Sequence, residues 1–235
     1  FAFKGDAMDN PEFYRLRIAG QIINIAIDST ETVNVKASYP MMATDYDVKG
    51  SYENEKIKEL ALKQIDLQSR CQAVASNPNI NVDSAMTVIN ALVDAYKNDV
   101  ERNYIYKEPM KAYAYFALFQ YIVVNNTAQL IFNPRTNGKD IKVYGAVATS
   151  WDTFYPNSER GENLHNIAIQ GMKDQRIVRS QQQGMTIDAS KVSDINLIDV
   201  PLMDNHGKMR HLTELKGKVV LLDFHVFSVG EESMK

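Results

Sequence analysis

Residues 215–232 read LKGKVVLLDFHVFSVGEE, and this stretch decides the fold expected for the C-terminal part of the chain. A turn at residues 216–218 precedes an unbroken apolar run, residues 219–222, that is rich in β-branched side chains. Such a run is typical of a strand buried on both faces of a parallel or mixed sheet. After a short loop, residues 230–232 predict the start of a helix, because acidic side chains are stabilised near the positive end of the helix dipole. Proteins of the α/β class often place their chemistry where a strand leads into a helix in this way.

The C-terminal segments carry a resemblance to a known family. They are INL at residues 195–197, DNHGK at 204–208 and LTELKGKVVLLDF at 212–224. Together they resemble the front of a thioredoxin-like domain, of the alkyl hydroperoxide reductase/thiol-specific antioxidant group and of the envelope thiol–disulfide oxidoreductases of cytochrome maturation. That family continues from the strand as Phe-Trp-Ala-x-Trp-Cys-x-x-Cys. The resemblance implies the fold but not the activity, because a thiolate is the nucleophile in disulfide exchange and this segment has no cysteine.

The resemblance assigns no catalytic residue to this chain. The positions of the Cys-x-x-Cys motif are occupied by Val229, Gly230, Glu231 and Glu232. His225, Phe227 and Ser228 come just before them and are expected to line the groove of the degenerate site. A serine nucleophile at Ser228 with His225 as its base is the alternative, but no Gly-x-Ser-x-Gly turn surrounds Ser228.

Metal and nucleotide sites find little support in the sequence. His206 and His211 flank a turn at Gly207, with Asp204 nearby, while His225 ends the predicted strand. No His-x-x-His or paired-cysteine spacing occurs, and neither Gly-x-Gly-x-x-Gly nor a Walker-type loop is present. We therefore predict a surface turn around the two histidines, with no metal and no cofactor.

Residues 1–50 predict an antiparallel β-meander or small sandwich, because apolar and polar residues alternate in short segments that Gly, Pro, Asp and Ser separate. The segments are residues 1–5, 13–18, 22–27, 32–36 and 46–50. FAFKG at the start, DYDVKGS at 45–51 and the charged helix that follows resemble the β-rich domain of unknown function that precedes thioredoxin-like domains in certain bacterial envelope lipoproteins. This resemblance implies a periplasmic or envelope location and a lipid anchor upstream of Phe1.

Residues 51–185 predict a helical bundle. Helices are expected to begin at Ser51, near Asp83, at Met110, at Asp140 and at Ser158, the first and the last two with a polar capping residue. The third, residues 110–124, is apolar nearly all round and should be the most buried. Cys71 lies in the apolar stripe of the first helix, so we expect a small core side chain and not a reactive thiol.

Composition narrows the class of protein. A hydrophobic fraction of 45% with 23% charged residues is ordinary for a globular chain of 235 residues. The net charge of −3 and the lack of a Lys/Arg cluster in the sequence argue against nucleic-acid binding. Cys71 is the only cysteine, which excludes an intrachain disulfide. The longest apolar run, residues 112–124, is shorter than the roughly 20 residues that span a bilayer, so no transmembrane segment is predicted.

We therefore expect an α+β protein in three parts: a β-rich domain at residues 1–50, a helical domain at 51–185 and the start of a thioredoxin-like α/β domain at 186–235. Its predicted role is a redox-inactive relative of thiol–disulfide oxidoreductases that binds or scaffolds a protein or peptide partner. Two alternatives stay open. One is a working thiol–disulfide oxidoreductase or peroxidase whose cysteine lies beyond Lys235, where the rest of a thioredoxin-like domain is expected, or in a partner. The other is a structural, subunit-forming module.

Overall fold

The computed structural model describes residues 2–6, 8–29, 31–184, 201–204, 206–215 and 217. Phe1–Ser180 form one compact unit and Gln181–Lys235 another. The first unit therefore holds both the strands expected at residues 1–50 and the helices expected after them. Helices and short antiparallel strand pairs make up the described elements, which confirms the α+β class.

Two hairpins open the chain. Strand β1 (Glu12–Ile18) pairs with β2 (Gln21–Ile27), and β3 (Asn34–Ala37) pairs with β4 (Tyr46–Lys49). The first turn, Ala19-Gly20, has positive φ at both residues, 47° and 81°, the geometry that matches the twist of paired strands. The prediction of a strand at the start of the chain is wrong, because the described residues 2–6 have no strand partner and no regular structure. Alternation of apolar and polar residues does not by itself supply the hydrogen bonds that a strand needs.

Strand β2 lies between two apolar clusters. Ile23 packs with Met42, Tyr46 and Val48 in a small cluster on the hairpins. Ala26 belongs instead to the large core formed with the helices. Both faces of β2 are therefore covered, which anchors the hairpins to the helical part of the unit.

The helices begin close to their predicted starts, but the third ends earlier than predicted. They are α1 (Tyr52–Ala75), α2 (Val82–Val100), a π-helical turn (Glu101–Ile105), α3 (Ala112–Leu118), α4 (Asp140–Phe154) and α5 (Glu159–Gly184). Ser51 and Ser158 cap α1 and α5 as expected, because their hydroxyls accept the N–H groups of Asn54 at 3.2 Å and Gly161 at 3.4 Å. The expected capping role of Asp140 is wrong: Lys139 is the N-cap residue of α4, and the Asp140 carboxylate pairs with Lys97.

The second half of the predicted third helix is a β-hairpin. After α3 the chain forms β5 (Tyr121–Val124), which pairs with β6 (Thr127–Leu130). Asn125 and Asn126 make the turn with φ of 50° and 61°, a conformation that asparagine tolerates better than most residues. The β-branched residues 122–124 favour a strand once this turn supplies a partner.

Helix α1 hydrogen-bonds to both strand systems through side-chain amides. The Asn54 amide accepts the N–H of Ala26 at 2.8 Å and donates to its C=O at 2.5 Å. The Gln68 amide does the same for Val123, at 2.6 Å and 2.9 Å. Because the two amides are about four helical turns apart, they project from the same face of α1. This face thereby satisfies backbone groups of β2 and β5 that those strands leave unpaired.

Two contacts hold α5 against the rest of the first unit. A Cβ added at Gly171 would lie 2.8 Å from the carbonyl oxygen of Pro134, so only glycine permits this approach without a shift. Nearer its start, the Arg160 guanidinium bonds the Glu12 carboxylate at 2.7 Å and lies 5.1 Å from the centre of the Phe13 ring. The second contact ties α5 to β1.

The core of the first unit is aromatic and closely packed. Its largest fully buried side chains are Trp151, Tyr113, Tyr144 and Phe132. Cys71 is buried in the same core, as predicted. No helix in the described part of the chain is both long and apolar enough to cross a membrane, which agrees with the absence of a transmembrane segment expected from the sequence.

After the last residues of α5, the described part of the second unit contains a hairpin. Strand β7 (Pro201–Met203) pairs with β8 (Met209–His211), and a 3-10 helix (Leu212–Leu215) follows. The Asp204 carboxylate holds the connecting turn by accepting the N–H groups of His206 at 3.0 Å and Lys208 at 2.9 Å. The strand predicted at residues 219–222 and the helix predicted at 230–232 lie outside the described residues.

Replacing Asn54 by alanine should destabilise the first unit by about 2–4 kcal/mol, because the buried N–H and C=O of Ala26 both lose their partner. Urea unfolding followed by circular dichroism measures the change. Gln72→Ala is the matched control, since this amide is exposed on the same helix and bonds only Ser76, so the expected loss is within about 0.5 kcal/mol. Equal losses in the two variants would contradict the role given to Asn54.

Candidate functional site

Val229, Gly230, Glu231, Glu232 and the expected groove residues His225, Phe227 and Ser228 all lie outside the described residues. His206 lies on the exposed turn held by Asp204, and His211 ends β8. No three His, Cys, Asp or Glu side chains in the described ranges are arranged to hold a metal ion.

A buried ion pair joins the end of α2 to the start of α4. The Lys97 ammonium lies 2.5 Å from the Asp140 carboxylate, and the two side chains are 10% and 1% exposed. The second Asp140 oxygen accepts the N–H of Asn133 at 2.7 Å, and the ammonium lies 5.3 Å from the centre of the Phe132 ring. Both Asp140 oxygens are therefore engaged, which offsets part of the cost of burying the charges.

The π-helical turn follows directly after this pair. The N–H of Tyr106 bonds the C=O of Glu101 at 2.9 Å, five residues earlier, in place of the usual four. The turn buries Tyr104 and Ile105 and leaves Arg102 exposed. Single π-turns within helices are frequent at functional sites, since they redirect side chains without ending the helix. Sequence reasoning missed this feature, because residues 96–104 continue the apolar spacing of α2 without a break.

An open cavity of about 710 Å³ lies against the π-helical turn. It is lined by Asn98, Glu101, Arg102, Tyr106 and Lys107. None of the five side chains hydrogen-bonds to another side chain of the described residues. A volume of this size suits a small molecule, and the mixture of a carboxyl, a phenol and two cations suits a polar one. No hydrogen-bonded pair of nucleophile and base is among these five residues.

Burial raises the pKa of the two acidic groups of this cavity, the Glu101 carboxyl and the Tyr106 phenol. It raises the pKa of the Glu101 carboxyl; Lys97 and Lys139 act in the opposite direction, and Asp140 adds to the increase. Burial also raises the pKa of the Tyr106 phenol, with smaller contributions from Glu101 and Asp140. The phenol therefore stays protonated and able to donate a hydrogen bond at neutral pH.

Cys71 has the surroundings of a structural residue. Its side chain is fully buried in the core, and burial raises the pKa of the thiol more than the neighbouring Arg70 lowers it. The thiolate, which is the reactive form, is therefore disfavoured. This agrees with the core role predicted for Cys71.

Replacing Lys97 by methionine should destabilise the protein by about 3–5 kcal/mol, because it leaves the buried Asp140 carboxylate without its cation. Lys63→Met is the matched control: Lys63 pairs with Asp99 at 2.8 Å, but the two side chains are 43% and 38% exposed, so the expected loss is below about 1 kcal/mol. Denaturant unfolding compares the two. A double variant, Lys97→Met with Asp140→Asn, should regain part of the loss, and strict additivity would argue against a direct pair.

The raised pKa of Glu101 predicts a pH dependence. A carboxyl whose pKa is higher in the folded state than in the unfolded state stabilises the fold while protonated, and that contribution is lost as the pH rises through the folded pKa. Relative to Glu101→Gln, the wild-type protein should therefore lose stability as the pH rises from about 4, the usual range of a glutamate carboxyl, toward neutrality. Unfolding free energies of both proteins across this range test the sign, and a difference that is flat or grows with pH would contradict it.

The chain was also compared with known proteins. No protein-family model, no curated protein and no solved structure matches it. The resemblance to the thioredoxin-like family therefore stays a prediction from the motifs of this chain.

Proposed function

We propose that this protein is a redox-inactive, thioredoxin-like protein of the bacterial envelope that binds or scaffolds a protein or peptide partner. The observation that carries the proposal is the identity of two residues. Val229 and Glu232 stand where the resemblance expects the attacking and the resolving cysteine. Neither an isopropyl group nor a carboxylate can form the mixed disulfide through which thiol–disulfide exchange proceeds.

The described hairpin of the second unit supports the order of elements on which the proposal depends. Strands β7 and β8 and the 3-10 helix come directly before Gly217, whose φ of 85° marks a turn. The apolar run that the sequence predicts as a buried strand begins two residues later. A tight turn at this point favours a strand that begins at residue 219.

The environment of Cys71 supports a role without redox chemistry. It is the only cysteine of the chain, and it is buried in the core with a raised thiol pKa. A thiol in that setting does not exchange readily with a disulfide on another molecule. No other residue of this chain offers sulfur chemistry of the thiol type.

The partner would bind beside the degenerate motif. His225, Phe227 and Ser228 combine an imidazole, an aromatic ring and a hydroxyl in four residues, a composition suited to contacts with a peptide backbone and its side chains. The envelope location and a lipid anchor upstream of the chain belong to the same proposal. They rest on the resemblance of the N-terminal segments to the β-rich domain of envelope lipoproteins.

The chain should not catalyse the reduction of insulin by dithiothreitol above the rate of dithiothreitol alone, because the positions of both catalytic cysteines lack sulfur. Turbidity follows the precipitation of reduced insulin. Cys71→Ala is the matched control and should behave like the wild-type chain. Catalysis by the wild-type chain would contradict the proposal, and its loss in Cys71→Ala would identify Cys71 as the group responsible.

A second variant separates the fold from the activity. In Val229→Cys/Glu232→Cys the introduced thiols should form an intramolecular disulfide on mild oxidation, because positions three apart at a helix start lie close enough to be bridged. Titration of free thiols in the unfolded protein would then detect Cys71 alone. Failure of the introduced pair to oxidise would count against the proposed strand–helix junction, whatever the insulin assay gives.

A further inference from the structure

A basic groove lies in the first unit, between the start of α4 and the C-terminal half of α5. Its volume is about 520 Å³, and four of its lining residues are cationic: Lys139, Lys142, Arg176 and Arg179. No acidic side chain of the described residues lines it. The protein as a whole has a net charge of −3, so the groove concentrates positive charge against the overall balance.

The cations of the groove form no ion pair among the described residues that would explain their presence. Lys142, Arg176 and Arg179 form no ion pair with any carboxylate of the described residues. Lys139 acts electrostatically on Glu101 but forms no ion pair with it. Two buried or half-buried cations are paired instead, Lys97 with Asp140 and Arg160 with Glu12. The groove therefore holds exposed positive charge that folding does not use.

The groove is held in shape by contacts at its edges. The close approach of Gly171 to Pro134 fixes α5 against the segment that leads into α4. Arg135 bonds the Asp174 carboxylate at 2.9 Å, and the Gln175 amide donates to the carbonyl oxygen of Arg135 at 3.4 Å. These contacts position both walls before any ligand arrives, which lowers the entropic cost of binding.

The spacing of the cations concentrates their charge. Arg176 and Arg179 are three residues apart on α5, and Lys139 and Lys142 are three apart at the start of α4, so each pair presents two charges on one side of its helix. The first turn of α4 adds the positive end of its helix dipole. Ile141 and Met172 line the same groove and offer apolar contact beside the charges.

We propose that this groove binds a small ligand that carries two or more phosphate groups. Guanidinium groups bond phosphate oxygens in a bidentate manner, and lysine supplies compact charge for the same anion. Linked phosphates place several negative charges within a few ångströms, which matches cations that share one groove. An extended acidic peptide spreads its carboxylates at about 3.3 Å per residue on alternating sides and fits this arrangement less well.

Isothermal titration calorimetry of the 235-residue chain with pyrophosphate tests the proposal. The wild-type chain should bind, and Lys142→Gln/Arg179→Gln should weaken the affinity at least tenfold. The matched control is Arg17→Gln/Lys36→Gln, which removes the same charge from exposed positions on the hairpins and should change the affinity less than twofold. Higher salt should weaken wild-type binding, because the contacts are exposed and electrostatic. Circular dichroism confirms that both variants are folded.

Vesicles identify the source of the phosphate. Co-sedimentation with phosphatidylcholine vesicles that contain phosphatidic acid, reversed by pyrophosphate and lost in the groove variant, would support the groove and indicate a lipid headgroup. Binding of pyrophosphate without vesicle binding would support it and indicate a soluble ligand.

Three results would overturn the proposal. They are the absence of pyrophosphate binding by the wild-type chain, an equal loss of affinity in the groove and control variants, and tighter binding of a glutamate-rich peptide than of pyrophosphate. The groove lies wholly in the first unit, so none of these results depends on the redox state or fold of residues 186–235.

Discussion

The hydrogen bonds between the Asn54 amide and the backbone of Ala26 are the constraint on which the first unit depends. A two-stranded hairpin leaves the outer N–H and C=O groups of each strand unpaired, and burying them against a helix without partners costs about 1–3 kcal/mol for each group. Helix α1 removes this cost on both sides, through Asn54 at β2 and Gln68 at β5. An apolar residue at either position would pack against the strand but leave its polar groups unsatisfied. The face of α1 is therefore as much a hydrogen-bonding surface as an apolar one.

The same helix determines where the shorter elements lie. The Glu53 carboxylate, in the first turn of α1, accepts the N–H of Ala112 at 2.6 Å and the Lys111 ammonium at 3.0 Å, so it caps α3 from another helix. A helix as short as α3 is marginal by itself, and a cap of this kind fixes its start. Further along α1, the carbonyl of Leu60 accepts the Gln120 amide at 3.0 Å, where the chain passes from α3 into β5. The buried pair of Lys97 and Asp140 then joins α2 to α4, beside the π-helical turn. Long-range polar contacts thus order elements that local preference alone leaves undecided.

The limits of prediction from the sequence follow from this. Helix starts at Ser51 and Ser158 were predictable, because a capping hydroxyl acts on residues three positions away. The prediction of the third helix was wrong at residues 119–124, because a short apolar run looks the same in a buried helix and in a buried strand. Asn125-Asn126 carried the missing signal, since two residues that tolerate positive φ between β-branched neighbours favour a hairpin. No local signal marked the buried pair or the basic groove, whose members are separated by about forty residues and meet only in the folded unit.

The charges of the first unit fall into two groups with different explanations. Three cations pair with carboxylates in buried or half-buried surroundings: Lys97, Lys111 and Arg160. Removing one member of such a pair leaves the other as an uncompensated charge, so stability accounts for the presence of these cations. Lys142, Arg176 and Arg179 have no such partner among the described residues. Two like charges three positions apart on a helix destabilise it slightly, by about 0.2–0.5 kcal/mol, so stability disfavours the pair on α5. Solubility requires charge but does not require that it be of one sign within one groove. The proposed ligand with two or more phosphate groups would account for that clustering.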